Sequence, residues 1–231
     1  MSEFDGKVVI VTGASSGIGR CTAELLAKRG ARVAAFARSK EKLADLASDL
    51  VLAIAGDVSR LGDVERLFST AESHFGHVDV LINNAGMIDP APLVETTFDE
   101  WQEMFAVNVH GVYLTCRRAL PSMIERRRGA IVNVASISGV PGPEKFPGWV
   151  SYCASKGAVI SLSEALAVEI KAHGVRVNCV SPGSVDTKMW AEASGGAPAA
   201  MTPEEVAETI LFLASDRSRP MNGQNLNVYS S

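Results

Sequence analysis

Short runs of β-branched residues alternate with stretches of helical periodicity along this chain of 231 residues, and that alternation decides what it can fold into. The first run, Lys7 to Thr12 (KVVIVT), has the pattern of a strand buried on both faces. A glycine-rich turn follows, then helical periodicity from Ile18 to Arg29, closed by Gly30. The same patterns predict strands over 32–37, 51–55, 78–82, 130–135 and 175–180, and a last one at 225–228. They predict helices over 40–50, 61–75, 98–128, 152–173 and 203–215. Strands joined to helices by short loops build a parallel sheet with right-handed crossovers and helices on both faces. The expected fold class is α/β, a doubly wound parallel sheet. No repeat, linker or low-complexity run interrupts the pattern, so residues 1–231 are expected to form a single domain.

Composition narrows the function classes. A formal net charge of -4 argues against general attraction to nucleic acid or anionic membranes. No segment approaches the uninterrupted apolar length of a membrane span, and the N-terminal residues do not read as a secretory signal, so a cytoplasmic protein is expected. Cys21, Cys116, Cys153 and Cys179 are scattered, and His74, His77, His110 and His173 lack metal-ligand spacing. Neither a disulfide framework nor a metal site is expected.

Two constellations carry chemistry. The first strand runs into Thr12-Gly13-Ala14-Ser15-Ser16-Gly17-Ile18-Gly19. Glycines at 13, 17 and 19 permit a tight turn, close backbone approach to a pyrophosphate and tight helix–strand packing, as in a Rossmann-like dinucleotide site. At the end of the second strand, where a carboxylate would accept from the ribose 2′-OH of NAD, stand Ala37, Arg38 and Ser39. A guanidinium there suits a 2′-phosphate, so NADP is preferred, with NAD as the alternative. The second constellation is Tyr152 and Lys156, one helical turn apart. A fixed ammonium beside a phenol favours the phenolate and is expected to lower its pKa. Cys153 beside them reads as a structural cysteine.

Taken together, TGASSGIG (12–19), Asp57-Val58, Asn83-Asn84-Ala85-Gly86, Asn108, Ser136, Tyr152 with Lys156, and Pro182-Gly183 with Thr187 resemble the short-chain dehydrogenase/reductase family over nearly the whole chain. The resemblance implies a catalytic set of Asn108, Ser136, Tyr152 and Lys156. Tyr152 would be the general acid in reduction and the base in oxidation. Lys156 would lower its pKa, helped by the cationic nicotinamide, and bind the ribose. Ser136 would bond the substrate oxygen, chosen over Ser138 because the family's serine stands three residues before the glycine of SISG. Asn108 would hold a water in a proton relay to Lys156. Cofactor contacts are implied at Gly13, Ser15, Ser16, Gly17, Ile18, Gly19, Arg38, Ser39, Asp57, Val58, Asn84, Ala85, Gly86, Tyr152, Lys156, Pro182, Gly183, Val185 and Thr187. Asp57 and Val58 would border the adenine, and Thr187 would hold the carboxamide.

Two departures from the family pattern bear on the substrate. The spacing from Ser136 to Tyr152 is longer than usual, with the extra residues in VPGPEKFPGW, and the substrate lid, about 187–203, is short. Phe146, Trp149, Met189 and Trp190 are candidate pocket residues. The expected activity is hydride transfer between NADP(H) and a small-molecule carbonyl compound or secondary alcohol, in the manner of 3-oxoacyl-carrier-protein reductases. Alternatives are an NAD-dependent sugar-alcohol or other secondary-alcohol dehydrogenase, and a non-catalytic NADP(H) sensor. A homo-oligomer, tetramer or dimer, is expected through the helices over 98–128 and 152–173.

Overall fold

The computed structural model describes residues 3–229, so Ser230 and Ser231 of the expected C-terminal tail lie outside the described residues. Seven strands form one parallel sheet: β1 (Val8–Thr12), β2 (Arg32–Ala37), β3 (Val51–Ala55), β4 (Val80–Asn83), β5 (Gly129–Val134), β6 (Val175–Pro182) and β7 (Asn225–Val228). Their order is β3-β2-β1-β4-β5-β6-β7. The strand order reverses between β1 and β4, the place where open α/β sheets bind ligands. The helices are α1 (Gly17–Lys28), α2 (Lys40–Ala44), α3 (Leu61–Phe75), α4 (Phe98–Phe105), α5 (Gly111–Glu125), α6 (Val150–Glu169), α7 (Lys188–Ala193) and α8 (Pro203–Ala214).

The uninterrupted apolar strands are explained by two cores. Val9 and Val11 of β1 point into one, with Leu26 of α1 and Ile210 of α8. Val8 and Ile10 point into the other, with Leu67 and Phe68 of α3, Met123 of α5 and Val159 of α6. Successive strand residues face opposite sides, so a strand covered on both faces is apolar at most positions.

Five expected segments differ. The helix expected over 40–50 ends at Ala44, because Ser48 and Val51 exchange backbone hydrogen bonds of 3.1 Å and turn the chain directly into β3. The long helix expected over 98–128 is α4, a π-helical turn at Ala106–His110, and α5. The helix expected over 152–173 starts at Val150 and closes through a tight turn at Lys171–His173 onto Gly174 in the left-handed conformation. The strand expected over 78–82 starts at Val80; the backbone N–H of Asp79 donates to the Val8 carbonyl, and its carboxylate accepts from the Val8 N–H at 3.1 Å. The lid, expected without assigned structure, contains α7.

A polar chain crosses the second core. Asn83 and Asn133 are register partners on β4 and β5. Asn83 Nδ2 donates to Asn133 Oδ1 at 2.9 Å, and Thr115 Oγ1 donates to Asn83 Oδ1 at 2.7 Å. Asn133 Nδ2 donates to Ser163 Oγ at 2.9 Å. All four residues are buried, so each bond lost leaves a dry polar group behind. Asn133→Ala should therefore lower the unfolding free energy by about 2–4 kcal/mol, combining a cavity with stranded partners. Urea denaturation of both proteins reads the difference as a shifted midpoint at constant slope.

Candidate active site

The C-terminal ends of the strands open into a cavity of about 540 Å³. Its floor is the turn between β1 and α1. Gly13 has φ 68°, and a Cβ there would stand 2.8 Å from the Ala85 Cα. The glycine thus lets the first turn press directly on the loop after β4. Gly19 serves a different contact: its Cβ would lie 2.3 Å from Asn84 Nδ2 and 2.4 Å from the Gly13 carbonyl. Ser15, Ser16, Gly17 and Ile18 line the cavity with Gly13, whereas Gly19 sits behind the wall. The first-turn N–H groups of α1 make this floor a favourable place for anions.

The ends of β2 and β3 form one side. Arg38 is exposed, Ser39 N-caps α2 by accepting from Lys42 N at 3.4 Å, and both line the cavity with Lys42. Lys42 escaped the sequence reading. The usable signal was its position at the first turn of α2, four residues beyond Arg38. Asp57 and Val58 also line the wall. The Asp57 carboxylate accepts from Ser59 N at 2.9 Å and Ser59 Oγ at 2.7 Å, closing its own turn.

Asn84, Ala85 and Gly86 follow β4 and face the cavity. Asn108, in the π-helical turn, does not line it. Its buried amide is tied to the backbone of Met87, accepting from the N–H at 2.8 Å and donating to the carbonyl at 2.9 Å, and it donates to Ser155 Oγ at 3.0 Å. Those bonds join α6, the π turn and the loop after β4. A Cβ on Gly86 would stand 3.3 Å from Lys156 Nζ and 3.4 Å from Asn108 Oδ1, so the bare glycine keeps a gap between them.

Ser136, Ser138, Tyr152 and Lys156 come together beyond the end of β5. Gly139 brings them close: a Cβ there would fall 2.5 Å from the Gly157 nitrogen, so the turn after Ser136 lies against the α6 backbone. Ser136 Oγ accepts from Ser138 N at 3.1 Å, which orients its hydroxyl. On the far wall are Pro182, Gly183, Val185 and Thr187. Thr187 N-caps α7, accepting from Trp190 N at 3.2 Å.

The electrostatics correct one expectation. Tyr152 is not shifted down by Lys156; burial pushes its pKa up to about 12, while a hydrogen bond with the Ser136 side chain works in the opposite direction. Lys156 Nζ stands 5.7 Å from the centre of the phenol ring and donates to the Val134 carbonyl at 2.9 Å. Burial lowers its own pKa from 10.5 to about 8, so its charge is itself strained by desolvation. Burial also raises the Cys153 thiol, in keeping with its structural reading. Among the described residues no group of three or more His, Cys, Asp or Glu side chains could hold a metal ion.

With this geometry in place, the comparisons are informative. A family profile described as short chain dehydrogenase matches residues 7–197. A 3-oxoacyl-[acyl-carrier-protein] reductase of Thermotoga maritima is 36% identical over 242 aligned positions, covering 98% of this chain and 97% of its own. An uncharacterized oxidoreductase of Staphylococcus aureus is 36% identical over 216, covering 92% of each. A crystal structure of a 3-ketoacyl-(acyl-carrier-protein) reductase from Brucella melitensis complexed with NADH superposes at a TM-score of 0.89, with 32% identity over 97% of each chain. The chain belongs to the short-chain dehydrogenase family, and is an NAD(P)-dependent oxidoreductase acting on CH–OH or carbonyl groups. Among the described residues no helix is long and apolar enough to cross a membrane.

The buried lysine gives a pH signature. Between about pH 8 and 10 the native amine is largely neutral while the unfolded one is still charged, so the unfolded state binds more protons. The stability cost of burying Lys156 is full below pH 8 and is relieved as pH rises. The Tm of wild type should thus gain on that of Lys156→Met from pH 8 to 10 and run parallel to it from pH 6 to 7. Taking the difference removes the opposing contributions of Cys116 and Tyr152, whose pKa values burial raises in both proteins.

Proposed function

We propose that the protein is an NADPH-dependent carbonyl reductase, working on a ketone-type substrate in the manner of the 3-oxoacyl-carrier-protein reductases it is similar to. The observation that carries this reading is the convergence of the Ser136 hydroxyl, the Tyr152 phenol and the Lys156 ammonium on one end of a cavity with a phosphate-accepting floor. The lining suits a dinucleotide: a Cβ on Gly17 would stand 3.0 Å from Thr187 Cγ2, both lining the cavity, and Arg38 with Lys42 supplies cations beyond β2. Gly13 to Ile18 would hold its phosphates, Asp57 and Val58 its adenine side, and Thr187 its carboxamide. When bound, the cofactor supplies the hydride.

This chain's residues handle the proton. Ser136 donates a hydrogen bond to the carbonyl oxygen, where negative charge develops as the carbon is reduced. Tyr152 gives that oxygen its proton. A phenol kept neutral by burial is in the correct protonation state for reduction at every physiological pH. Lys156, with a pKa near 8, can return a proton to the phenolate, and its charge stabilises that phenolate once formed. A water in the gap beside Gly86 would link Lys156 to Asn108 Oδ1, which has a second lone pair to offer. Exposed Phe98, Tyr113 and Val168, on α4 to α6, support the homo-oligomer expected through those helices.

A second reading, use of NADH, is favoured by the Brucella reductase, which was crystallised with that cofactor. Arg38 and Lys42 decide between them. Removing either side chain should weaken NADPH by about tenfold and leave NADH nearly unchanged, since each makes a charge-assisted contact only with a 2′-phosphate. Titrating cofactor fluorescence in both variants checks this, and equal effects on the two cofactors would favour NADH. For the chemistry, Tyr152→Phe should cut kcat by about 10²–10⁴ while NADPH still binds. Steady-state turnover of the wild type and the variant on a ketone panel reads it. An undiminished variant would remove Tyr152 as the acid.

A further inference from the structure

Beyond the hydroxyls of Ser136, Ser138 and Tyr152, the cavity is walled by aromatic rings that the proton chemistry does not use. Trp149 and Trp190 belong to a third apolar cluster with Tyr152, separate from the two cores that hold the sheet, and Phe146 packs against both. Trp149, just ahead of α6, meets the Tyr152 ring edge-on at 5.7 Å and 88°. Phe146 lies 4.7 Å from Trp149, and Trp190 of α7 lies 6.2 Å from Trp149 and 6.0 Å from Phe146. These separations are those of attractive aromatic pairs. The inserted loop and the lid therefore meet through rings, with Trp149 edge-on to the phenol ring.

The surrounding bonds hold the rings in place. Lys145 Nζ donates to the Ile137 and Val140 carbonyls, at 3.1 and 2.5 Å, tying the loop down next to Phe146. Trp190 Nε1 donates to the Ala197 carbonyl at 2.8 Å, so the lid satisfies the indole and leaves its ring apolar. Phe146 is 49% exposed and Met189 41%, while Trp149 is buried behind them. The charged lining residue on the lid, Lys188, is turned toward Glu192 at 3.4 Å.

Resting on the carbonyl-reductase reading, we propose that Phe146, Trp149 and Trp190 form a specificity site for an uncharged ketone bearing an aromatic or bulky apolar ring. A ring on the substrate buries the open faces of Phe146 and Trp190 against a wall that already has aromatic spacing. A short aliphatic ketone leaves those faces in water. A carboxylate set against Phe146, Trp149 and Trp190 would lose hydration and meet only apolar ring faces there.

The test is steady-state reduction by NADPH of acetophenone, cyclohexyl methyl ketone, 2-butanone and acetoacetate, in wild type, Phe146→Ala and Trp190→Phe. The kcat/KM for acetophenone should exceed that for 2-butanone by about 30-fold or more, with acetoacetate poorest; apolar contacts of this size discriminate on that scale. The ratio should fall by about tenfold in Phe146→Ala. Phe146 is half-exposed on a loop, so its truncation is compatible with folding, and NADPH titration with circular dichroism verifies each variant. Should Phe146→Ala lose its fold, the milder Trp190→Phe carries the comparison. A wild-type ratio near one, or a ratio untouched in folded variants, overturns the specificity site and leaves carbonyl reduction standing. No turnover of any of the four ketones by NADPH-bound protein overturns carbonyl reduction itself, and this site with it.

Discussion

One threonine hydroxyl holds the two halves of the sheet together where the strand order reverses. Thr12 Oγ1, at the end of β1, accepts from the backbone N–H groups of Asn84 and Ala85, both at 3.1 Å, and donates to the Ile82 carbonyl at 3.4 Å. Asn84 answers with its own amide, donating to the Thr12 carbonyl at 3.1 Å and the Gly13 carbonyl at 3.3 Å. Two loops that would otherwise each need side-chain caps or water are satisfied by one another. The missing Cβ atoms of Gly13 and Gly19 are the condition for that closure, because both would collide with the Asn84–Ala85 segment. The phosphate-accepting floor, the gap beside Gly86 and the height of the catalytic end above it are all referred to this contact.

Burial then sets the acid–base character of the site in a way residue spacing alone does not convey. Tyr152 and Lys156 share a helix face, and spacing argues for a lowered phenol pKa. Both groups are buried, and desolvation penalises a phenolate and an ammonium alike, raising one pKa and lowering the other. At neutral pH the pair is held as a neutral phenol beside an ammonium that gives up its proton easily. That state is ready to protonate a carbonyl oxygen. Abstracting a proton from an alcohol would first require a phenolate, and the ammonium would have to stabilise it.

The sheet was legible because strands covered on both faces show as short, mostly apolar runs rich in β-branched residues. Glycine placement made the cofactor turn legible for a similar reason, since few side chains are compatible with the contact at Gly13. What could not be read was decided by partners distant along the chain. The helix at Lys40 has the right periodicity to reach Leu50, but the backbone pairing of Ser48 with Val51 stops it early. Asn108 announces an irregularity, yet its form follows from amide bonds to Met87 and Ser155. Lys42 was overlooked because a lysine in a first helical turn has an ordinary solvated meaning until Arg38 is seen beside it on one wall. Phe146, Trp149 and Trp190 were visible one at a time, while their mutual packing depends on how the loop and the lid fold back.

That division has a physical basis. The groups proposed to handle the proton hang from regular elements, with α6 carrying Tyr152 and Lys156 and the end of β5 carrying Ser136, and Gly139 sets the turn after Ser136 against the α6 backbone. Such positions tolerate little movement, because a small shift in a hydrogen-bonded reacting group costs much of its effect. The aromatic wall is borne by an inserted loop and a short lid helix, whose backbone can vary without disturbing either core. Tyr152 belongs to both systems: its hydroxyl meets Ser136, and its ring is the base on which Trp149 stacks edge-on. Substrate fit at the proposed specificity wall would therefore be felt by the ring proposed to carry the proton. With the proposed roles, selection of a substrate and placement of its acid would be coupled through a single side chain.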